Sequence, residues 1–385
     1  MRFFLQFLRV FFLLFALNTS VSASDSPPRL FMTIADIHFD PFVNCGWKTC
    51  PLIDKLKRAS AQDWPAILQV NDKKMSGYGQ DSDYLLLRFA LKAAAEKAAA
   101  QHVQFVLVLG DFLGHDYRKK YKKYTGDTSR ADYQLFVRKT FEFINAELAK
   151  AFPSTDVYMV PGNNDSYQNN YVSDPNGAFY HDMNALWPIL IKNNLARSAM
   201  RNQFSTAGYY ALTLPDQSNL RLIVLNSVLF SYKARGRNID QAAQRELNWL
   251  DQELQAAKIN HQKVILALHI PPEIDIYAGS RLKLFTFMKL WKETYIQRFQ
   301  AEITRFAPQV AGILAGHLHS NWFHILTLNN QDIPITGTPS ISPIFGNAPG
   351  FKIYSYSPNT LAIDNVETYY YPLSEMKRWE LSYDF

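Results

Sequence analysis

Seven side chains of metal-binding type lie at the ends of apolar runs in this 385-residue sequence: Asp36, His38, Asp111, Asn163, His269, His317 and His319. A lone histidine after a strand is more often a hydrogen-bonded structural residue than a ligand. Seven metal-binding residue types that each follow an apolar run indicate a metal site more strongly. Imidazole suits zinc or iron, and carboxylate and amide oxygens are ligands that Mn²⁺ or Fe²⁺ also accept. The pattern predicts a site that can hold two metal ions.

The elements that would position these residues are strands and helices in alternation. Apolar runs typical of strands covered on both faces occupy 31–34, 103–109, 157–160, 264–268 and 310–314. Helical patterns lie between them at 85–100, 133–149 and 241–258. This alternation predicts an α/β fold, in which ligands collect at the carboxyl ends of the strands. The polar loops are therefore expected to converge on one site.

The C-terminal third has a different pattern. Strand-like segments with Gly, Asn and Pro at the turns occupy 323–328, 333–336, 351–357 and 361–371. We expect them to form a second sheet packed against the first. The predicted fold is a four-layer α/β/β/α sandwich of two mixed sheets flanked by helices, with the dinuclear metal site at the strand carboxyl ends. No linker or repeat divides the chain, so residues 24–385 are expected to be one domain.

Residues 1–23 have the features of a secretory signal peptide. Arg2 and Arg9 flank and interrupt an apolar run at 3–17, and Val21-Ser22-Ala23 offers a cleavage site. The alternative is a membrane anchor, but the run is shorter than the roughly 20 residues that a spanning helix needs. We expect export to a periplasm or outside the cell, with no transmembrane segment left after cleavage.

The two cysteines, Cys45 and Cys50, lie close together in a loop-like stretch. In an exported chain this spacing predicts a short-loop disulfide. A zinc site is the weaker alternative, because two cysteines supply only half of a closed structural site and no nearby histidine completes it.

The formal net charge of +6 is spread out except for one dense basic run, Arg118-Lys119-Lys120 and Lys122-Lys123, interleaved with tyrosines. Such a run could attract phosphate-rich partners. A solvated helix or loop face is the more common explanation. No recognition motif accompanies the run, so no nucleic-acid partner is expected. The composition, 48% hydrophobic, excludes a disordered chain.

The order of the motifs resembles the calcineurin-like metallophosphoesterases: Asp36-x-His38, Gly110-Asp111, Gly162-Asn163-Asn164-Asp165, His269 and Gly316-His317-x-His319. Within that family the chain is most similar to the acid sphingomyelinase-like phosphodiesterases. The supporting segments are 110–115, Leu225-Asn226, 338–343 and 349–351. Purple acid phosphatases share the metal ligands, but they have a tyrosine three residues after the bridging aspartate, where this sequence has Gly114.

The resemblance implies how the ligands are shared. Asp36, His38 and His319 would hold one ion, Asn163, His269 and His317 would hold the other, and Asp111 would bridge both. The ions are expected to be divalent, with zinc first and Mn²⁺ or Fe²⁺ as alternatives. A metal-bridging hydroxide would attack a small phosphoester of the nucleotide or phospholipid head-group type. Phosphomonoester hydrolysis on the same site is the alternative, and a monomer is favoured.

One position departs from the family pattern. The family has Gly-Asn-His-Asp or Gly-Asn-His-Glu, whereas Asn164 stands here in place of the histidine. Asparagine can donate a hydrogen bond to phosphate but cannot transfer a proton. We therefore expect His115 to protonate the leaving oxygen or bind the phosphate, with Asn164 and Asp165 completing the catalytic group. A catalytically weakened metal- or lipid-binding relative is the alternative.

Overall fold

The structure is a computed structural model that describes residues 27–384 except 48, 72–73, 169, 216, 274–288 and 376–377. The predicted signal peptide, 1–23, lies outside the described residues and stays a prediction. Across the described ranges, none of the helices has both the length and the apolar character that crossing a membrane requires.

Twelve strands in the described part of the chain form two six-stranded sheets. They are β1 (Arg29–Ile34), β2 (Phe105–Val108), β3 (Asp156–Met159), β4 (Tyr210–Thr213), β5 (Leu220–Val224), β6 (Lys263–Ala267), β7 (Val310–Ala315), β8 (Trp322–Leu328), β9 (Gln331–Gly337), β10 (Gly350–Tyr356), β11 (Ile363–Tyr370) and β12 (Glu380–Asp384). The first sheet has the order β12-β11-β10-β1-β2-β3, and the second has the order β4-β5-β6-β7-β9-β8.

Nine α-helices connect the strands within the same described ranges. They are α1 (Pro51–Arg58), α2 (Trp64–Asn71), α3 (Tyr84–Ala100), α4 (Tyr117–Thr125), α5 (Arg130–Ala151), α6 (Ala178–Leu186), α7 (Asn194–Arg201), α8 (Ile239–Ile259) and α9 (Glu293–Arg305). Side-chain caps start two of the long ones. Asp83 accepts a hydrogen bond from Leu86 N at the start of α3, and Ser129 accepts one from Asp132 N at the start of α5.

Alternate side chains of the central strands point to two different apolar clusters, which explains why the sheets stack. In β6, Ile265 and Ala267 belong to the apolar cluster that also contains residues of β1, β2, β3, α3 and α5. The neighbouring Val264 and Leu266 belong to a second cluster with residues of α8 and α9. Successive strand residues point to opposite faces, so the second sheet is covered on both sides. The predicted sandwich of two mixed sheets flanked by helices is confirmed.

The expectation that the C-terminal strands form a separate second sheet is wrong. β8 and β9 extend the second sheet, because β9 pairs in parallel with β7. β10, β11 and β12 extend the first sheet, because β10 pairs antiparallel with β1. Both additions cover strand edges that would otherwise be left unpaired. The segment between β9 and β10 passes from one sheet to the other, and its Ser342 N donates to Asp36 O at 3.1 Å.

The predicted disulfide is confirmed. Cys45 and Cys50 are bonded, with their Cα atoms 5.1 Å apart, and the bond closes the loop that leads into α1. The alternative of a zinc site on these two residues is thereby excluded, since their sulfur atoms are no longer free to bind a metal.

Candidate metal centre

The predicted ligands meet where the carboxyl ends of five parallel strands come together. Three strands of the first sheet and two of the second contribute: Asp36 and His38 follow β1, Asp111 follows β2, Asn163 follows β3, His269 follows β6, and His317 and His319 follow β7. Asp36, His38 and Asp111 present ligand atoms that lie within 4.8 Å of one another, and so do Asp111, His269 and His317. The structure therefore brings together residues separated by up to 283 positions in the chain.

One half of the centre is built around His38. Its Nε2 atom lies 3.1 Å from Nε2 of His319 and 3.5 Å from Oδ2 of Asp111. Nε2 of His319 is also 3.4 Å from Oδ1 of Asp36. These distances place four donor side chains around one point.

The other half is built around His269. Its Nε2 atom lies 2.9 Å from Oδ1 of Asn163 and 3.3 Å from Oδ2 of Asp111. The ring of His317 stands edge-on to the ring of His269, with their centroids 5.1 Å apart. Since Oδ2 of Asp111 is close to both His38 and His269, this carboxylate lies between the two halves.

Backbone carbonyls fix which nitrogen of His38 and of His269 faces the centre. Nδ1 of His38 is 2.8 Å from the carbonyl oxygen of Leu113, and Nδ1 of His269 is 2.7 Å from that of Leu109. A carbonyl only accepts, so Nδ1 carries the hydrogen and the lone pair of Nε2 points into the cluster. Lone pairs that converge in this way repel each other unless a cation lies between them. The donor set therefore fits metal ions.

The ligand loops hold an uncommon backbone conformation. Five of the seven candidate ligands have positive φ angles, between 43° and 71°: Asp36, His38, Asp111, His317 and His319. Such angles are unfavourable for residues with a side chain and persist only where the surroundings enforce them. Two backbone hydrogen bonds do so between the first two loops, from Asp36 N to Gly110 O and from His38 N to Asp111 O. Gly162 is required here, because a Cβ atom on it would lie 2.1 Å from Asp111 N.

Burial shifts the titration of these groups in the absence of metal. It raises the pKa of Asp36 to about 8 and lowers the pKa of His38 to about 4. The pKa values of His317 and His319 are also lowered, first by burial and then by neighbouring histidines. Neutral imidazoles are the form that binds metal, and bound cations would stabilise the carboxylates as anions.

His115 lies at the edge of the centre and is held by an acidic partner. Its Nδ1 atom is 2.9 Å from Oδ1 of Asp81, and its backbone N donates to Oδ2 of the same residue at 2.7 Å. Its ring stacks on that of His38 at a centroid distance of 4.1 Å. Burial alone would lower the pKa of His115, but the hydrogen bond and negative charge of Asp81 outweigh burial and raise it.

Asp81 lies at the candidate site, although it was not among the site residues predicted from the sequence. Besides His115, it receives a hydrogen bond from Ser342 Oγ at 3.1 Å, and Lys120 Nζ lies 3.4 Å from its Oδ2. Lys120 also bonds Asp40, so the ammonium group lies between two buried carboxylates. No local motif marks Asp81. Its one signal was a position in a Gly-containing loop before α3, which is typical of many structural loops.

Asn164 and Asp165 have different surroundings although they are neighbours. The amide Nδ2 of Asn164 lies 2.7 Å from Oδ2 of Asp111, so its side chain faces the centre. The carboxylate of Asp165 faces the backbone instead. It accepts hydrogen bonds from the N atoms of Gly162, Asp111, Phe112 and Leu113 at 2.8 to 3.3 Å. Asp165 therefore joins the loop after β3 to the loop after β2.

Comparison with known proteins agrees with this geometry. The calcineurin-like phosphoesterase family pattern matches residues 30–321. The human acid sphingomyelinase-like phosphodiesterase 3b is 25% identical over 380 residues, which cover 92% of this chain and 75% of that protein. A human cyclic GMP-AMP phosphodiesterase is 24% identical over 382 residues, which cover 93% and 75%.

Among solved structures, a dimetal phosphatase from Danio rerio has the same fold. The TM-score is 0.51 at 14% identity, and the match covers 89% of this chain and 96% of that one. The predicted class, a metal-dependent phosphoric ester hydrolase most similar to the acid sphingomyelinase-like phosphodiesterases, is confirmed by these relatives. Because the family pattern covers well over half of the sequence, the chain belongs to the calcineurin-like phosphoesterase family.

Proposed function

We propose that this protein is an exported phosphodiesterase that hydrolyses a small ester of the nucleotide or phospholipid head-group type. The observation that carries the proposal is the place of Asp111, whose Oδ2 lies 3.5 Å from one cluster-facing histidine nitrogen and 3.3 Å from another. A carboxylate in that position can bridge two cations. Two relatives at about the same identity are named as phosphodiesterases, which favours a diester over a monoester.

In this proposal Asp36, His38 and His319 would hold one cation, Asn163, His269 and His317 would hold the other, and Asp111 would contribute to both. The chemistry that divalent ions would supply there is polarisation of the phosphoryl oxygens and a lowered pKa of a water nucleophile. Four imidazoles among seven donors favour zinc over the harder ions, with Mn²⁺ and Fe²⁺ next.

His115 supplies the proton to the leaving oxygen from its Nε2 atom. Asp81 accepts the hydrogen on Nδ1, which turns the opposite nitrogen away from Asp81, and the stacking on His38 keeps the ring beside the metal cluster. The raised pKa of His115 favours the protonated form that a general acid requires. Asp81 acts through His115, so we assign it as a positioning residue.

Asn164 orients the carboxylate of Asp111 and does not protonate the leaving oxygen. Its amide hydrogen bond to Asp111 fixes the bridging carboxylate, and the same amide can donate to a phosphoryl oxygen. Asp165 is a positioning residue as well, because its two oxygens are occupied by four backbone N–H groups. His115 is then the one residue of this catalytic group that delivers a proton, which favours esters with good leaving groups such as nucleotide phosphates.

Export is supported by the Cys45–Cys50 disulfide, since such bonds persist in oxidising compartments. The test is the amino terminus of the protein recovered from the periplasm or medium, measured by mass spectrometry. A chain that begins at Ser24 is expected. An intact Met1 on protein that stays in the cytoplasm would contradict the proposal.

The function is tested by comparing hydrolysis of bis-p-nitrophenyl phosphate and p-nitrophenyl phosphate, with chelator and with added Zn²⁺. The Asp111→Asn variant should lose at least one metal ion and most of the diester activity. Asp54→Asn, which changes an exposed carboxylate on α1, is the matched control. Monoester turnover alone would indicate a phosphomonoesterase. Full metal occupancy without turnover of either ester would indicate a binding protein that has lost catalysis.

A further inference from the structure

Exposed cations and an exposed indole lie together beside the metal centre, on the side of His115. We call the group the basic-aromatic patch and define it as Trp47, Arg118, Lys119, Lys122, Lys123 and Tyr124. We propose that this patch docks the protein on a bilayer that contains anionic phospholipid. The proposal concerns binding to a surface and is independent of the catalytic activity proposed above.

Helix α4 separates the two kinds of side chain in the basic run. Tyr117 and Tyr121 are 5% and 1% exposed and pack into the core, whereas Arg118, Lys119, Lys122 and Lys123 point to solvent. Few acids oppose these cations among the described residues. Asp116 lies 3.9 Å from Lys119, and Asp127 is taken by Lys57 and Tyr121. The outer face of α4 therefore keeps an excess of positive charge.

Trp47 is the most exposed large hydrophobic side chain among the described residues, at 84%. It lies in the loop that the Cys45–Cys50 disulfide closes, and the ammonium of Lys123 is 5.3 Å from its ring centroid and 4.6 Å from that of Tyr124. An indole left in water is unfavourable. Indole rings and lysines are found together at membrane interfaces, where the ring enters the head-group layer and the ammonium reaches lipid phosphates.

A cavity joins part of the patch to the residue that holds His115. It measures about 390 Å³ and is lined by Lys119, Lys123 and Tyr124 and also by Asp81, whose carboxylate binds His115. Ile344 lines the same cavity, and the next residue, Phe345, is 40% exposed with its ring centroid 4.7 Å from that of His319. A bilayer that contacts the patch would therefore lie near the His115 side of the candidate site.

The arrangement of the rings favours a bilayer over a nucleic acid. Bases are held by stacking on exposed aromatic faces. Here the tyrosines of α4 are buried or half-buried, and Arg118 covers the ring of Tyr133. Trp47 supplies one exposed ring, and Lys123 lies over it. Insertion of a single indole among lysines needs no stacking face, and anionic lipids attract each lysine by about 1 kcal/mol.

The test is flotation of the whole protein with vesicles of phosphatidylcholine alone or of phosphatidylcholine and phosphatidylglycerol in equal amounts. Replacing three cations together, Lys119→Gln, Lys122→Gln and Lys123→Gln, should weaken binding to the anionic vesicles roughly 100-fold. Trp47→Ala should weaken it roughly tenfold. The control for the triple lysine variant is Lys92→Gln, Lys150→Gln and Lys258→Gln together, which removes three exposed lysines elsewhere. The control for Trp47→Ala is Leu195→Ala, whose side chain is 83% exposed. Neither control should change vesicle binding.

The thermal unfolding midpoint checks that each variant is folded, and bis-p-nitrophenyl phosphate hydrolysis in solution separates this inference from the proposed activity. An unchanged midpoint with lost vesicle binding supports the docking surface, whether or not the ester is hydrolysed. Three outcomes would overturn it: no binding to anionic vesicles, equal binding to vesicles of phosphatidylcholine alone, or binding that survives both sets of substitutions. Salt-sensitive binding to a DNA duplex without vesicle binding would also overturn it and would assign the patch to a polynucleotide.

Discussion

Two regions of the interior contain buried ionisable groups, and they differ in how the charge is opposed. At the candidate metal centre, both buried carboxylates among the proposed ligands face an imidazole nitrogen within 4 Å, Asp36 that of His38 and Asp111 that of His269. Between the sheets, Lys352 of β10 is fully buried, and its Nζ donates to Thr336 Oγ1 at 2.8 Å. Among the described residues no carboxylate forms an ion pair with Lys352.

The cost of burial shows in the titration of Lys352. Burial alone lowers its pKa from 10.5 to about 7. At the candidate metal centre, burial and unfavourable backbone angles lower stability, but they place ligand-type side chains close together. Burial of Lys352 brings it beside Thr336 and, in the described structure, beside none of these ligand-type side chains. Buried ionisable groups can therefore serve activity in one region while they lower stability in another. Substitutions should therefore separate activity from stability.

Among substitutions that leave the proposed metal ligands intact, the largest expected effect on activity follows from removing His115. His115→Ala should lower kcat by about 10² to 10³-fold for diesters with alcohol leaving groups, because those oxygens need a proton as they depart. Esters of p-nitrophenol should lose much less, since nitrophenolate departs without one. Metal content should stay unchanged, because His115 is not among the proposed ligands. Turnover of both ester types, together with metal analysis, checks this. His181→Ala, an exposed histidine on α6, is the control.

An equal loss on both ester types would assign His115 to phosphate binding instead, since binding is needed whatever the leaving group. A loss of metal would place it among the ligands.

The second effect concerns Asp81, which touches His115 but not the cluster. Asp81→Asn should lower kcat for alcohol esters by about 10 to 100-fold and leave KM and metal content nearly unchanged. The amide removes the negative charge that raises the pKa of His115, and it puts an N–H donor where one of two carboxylate oxygens accepted a hydrogen bond. Asp40→Asn is a matched control, since Asp40 also pairs with Lys120 but has no bond to His115. Steady-state kinetics separates kcat from KM. Similar losses in both variants would show that the lysine network acts only on structure.

The sequence could predict which side chains converge on the candidate centre. Each follows an apolar run, and parallel strands bring their carboxyl ends to one edge, so type and position in the chain were enough for Asp36 or His269. Asp81 could not be found in this way. Its partner His115 is 34 residues away, and the pairing depends on how the loop before α3 folds back.

The pairing of the C-terminal strands was also beyond the sequence. An alternating pattern indicates a strand but does not say which sheet edge the strand will join. Residues 338–349 connect β9 to β10, and these two strands belong to different sheets. Lys352 is likewise an ordinary residue in a strand-like segment. Its burial comes from the pairing of β10 between β1 and β11, which no local pattern shows.

The third effect is a gain. Asn164→His places a group that can carry a proton on the side of the centre that lacks one, so turnover of alcohol diesters should rise, by about tenfold. Nitrophenyl esters should change little. The same pair of substrates measures it, with Asn164→Gln as the control that keeps an amide. A fall in both activities would show instead that the hydrogen bond from Asn164 to Asp111 is needed to hold that carboxylate in place.

The smallest effect on activity, and a clear one on stability, is expected at Lys352. The folded state binds the proton of this lysine less tightly than the unfolded state does, so the penalty is fully present below pH 7 and fades as pH rises toward 10.5. Lys352→Met removes the charge, keeps a side chain of similar length, and should stabilise the protein by several kcal/mol at pH 6. In thermal melts this should raise the midpoint by roughly 5 to 10 °C.

The gain should shrink to about 1 kcal/mol or less near pH 10, because the lysine is by then neutral in the folded state and has begun to lose its proton in the unfolded state as well. Hydrolysis of bis-p-nitrophenyl phosphate should be unaffected throughout. A gain of the same size at pH 6 and pH 10 would mean that methionine packs better, and that charge is not the cause. Lost hydrolysis in a stable variant would mean that Lys352 belongs with the groups kept for activity, and the two buried regions would then be one.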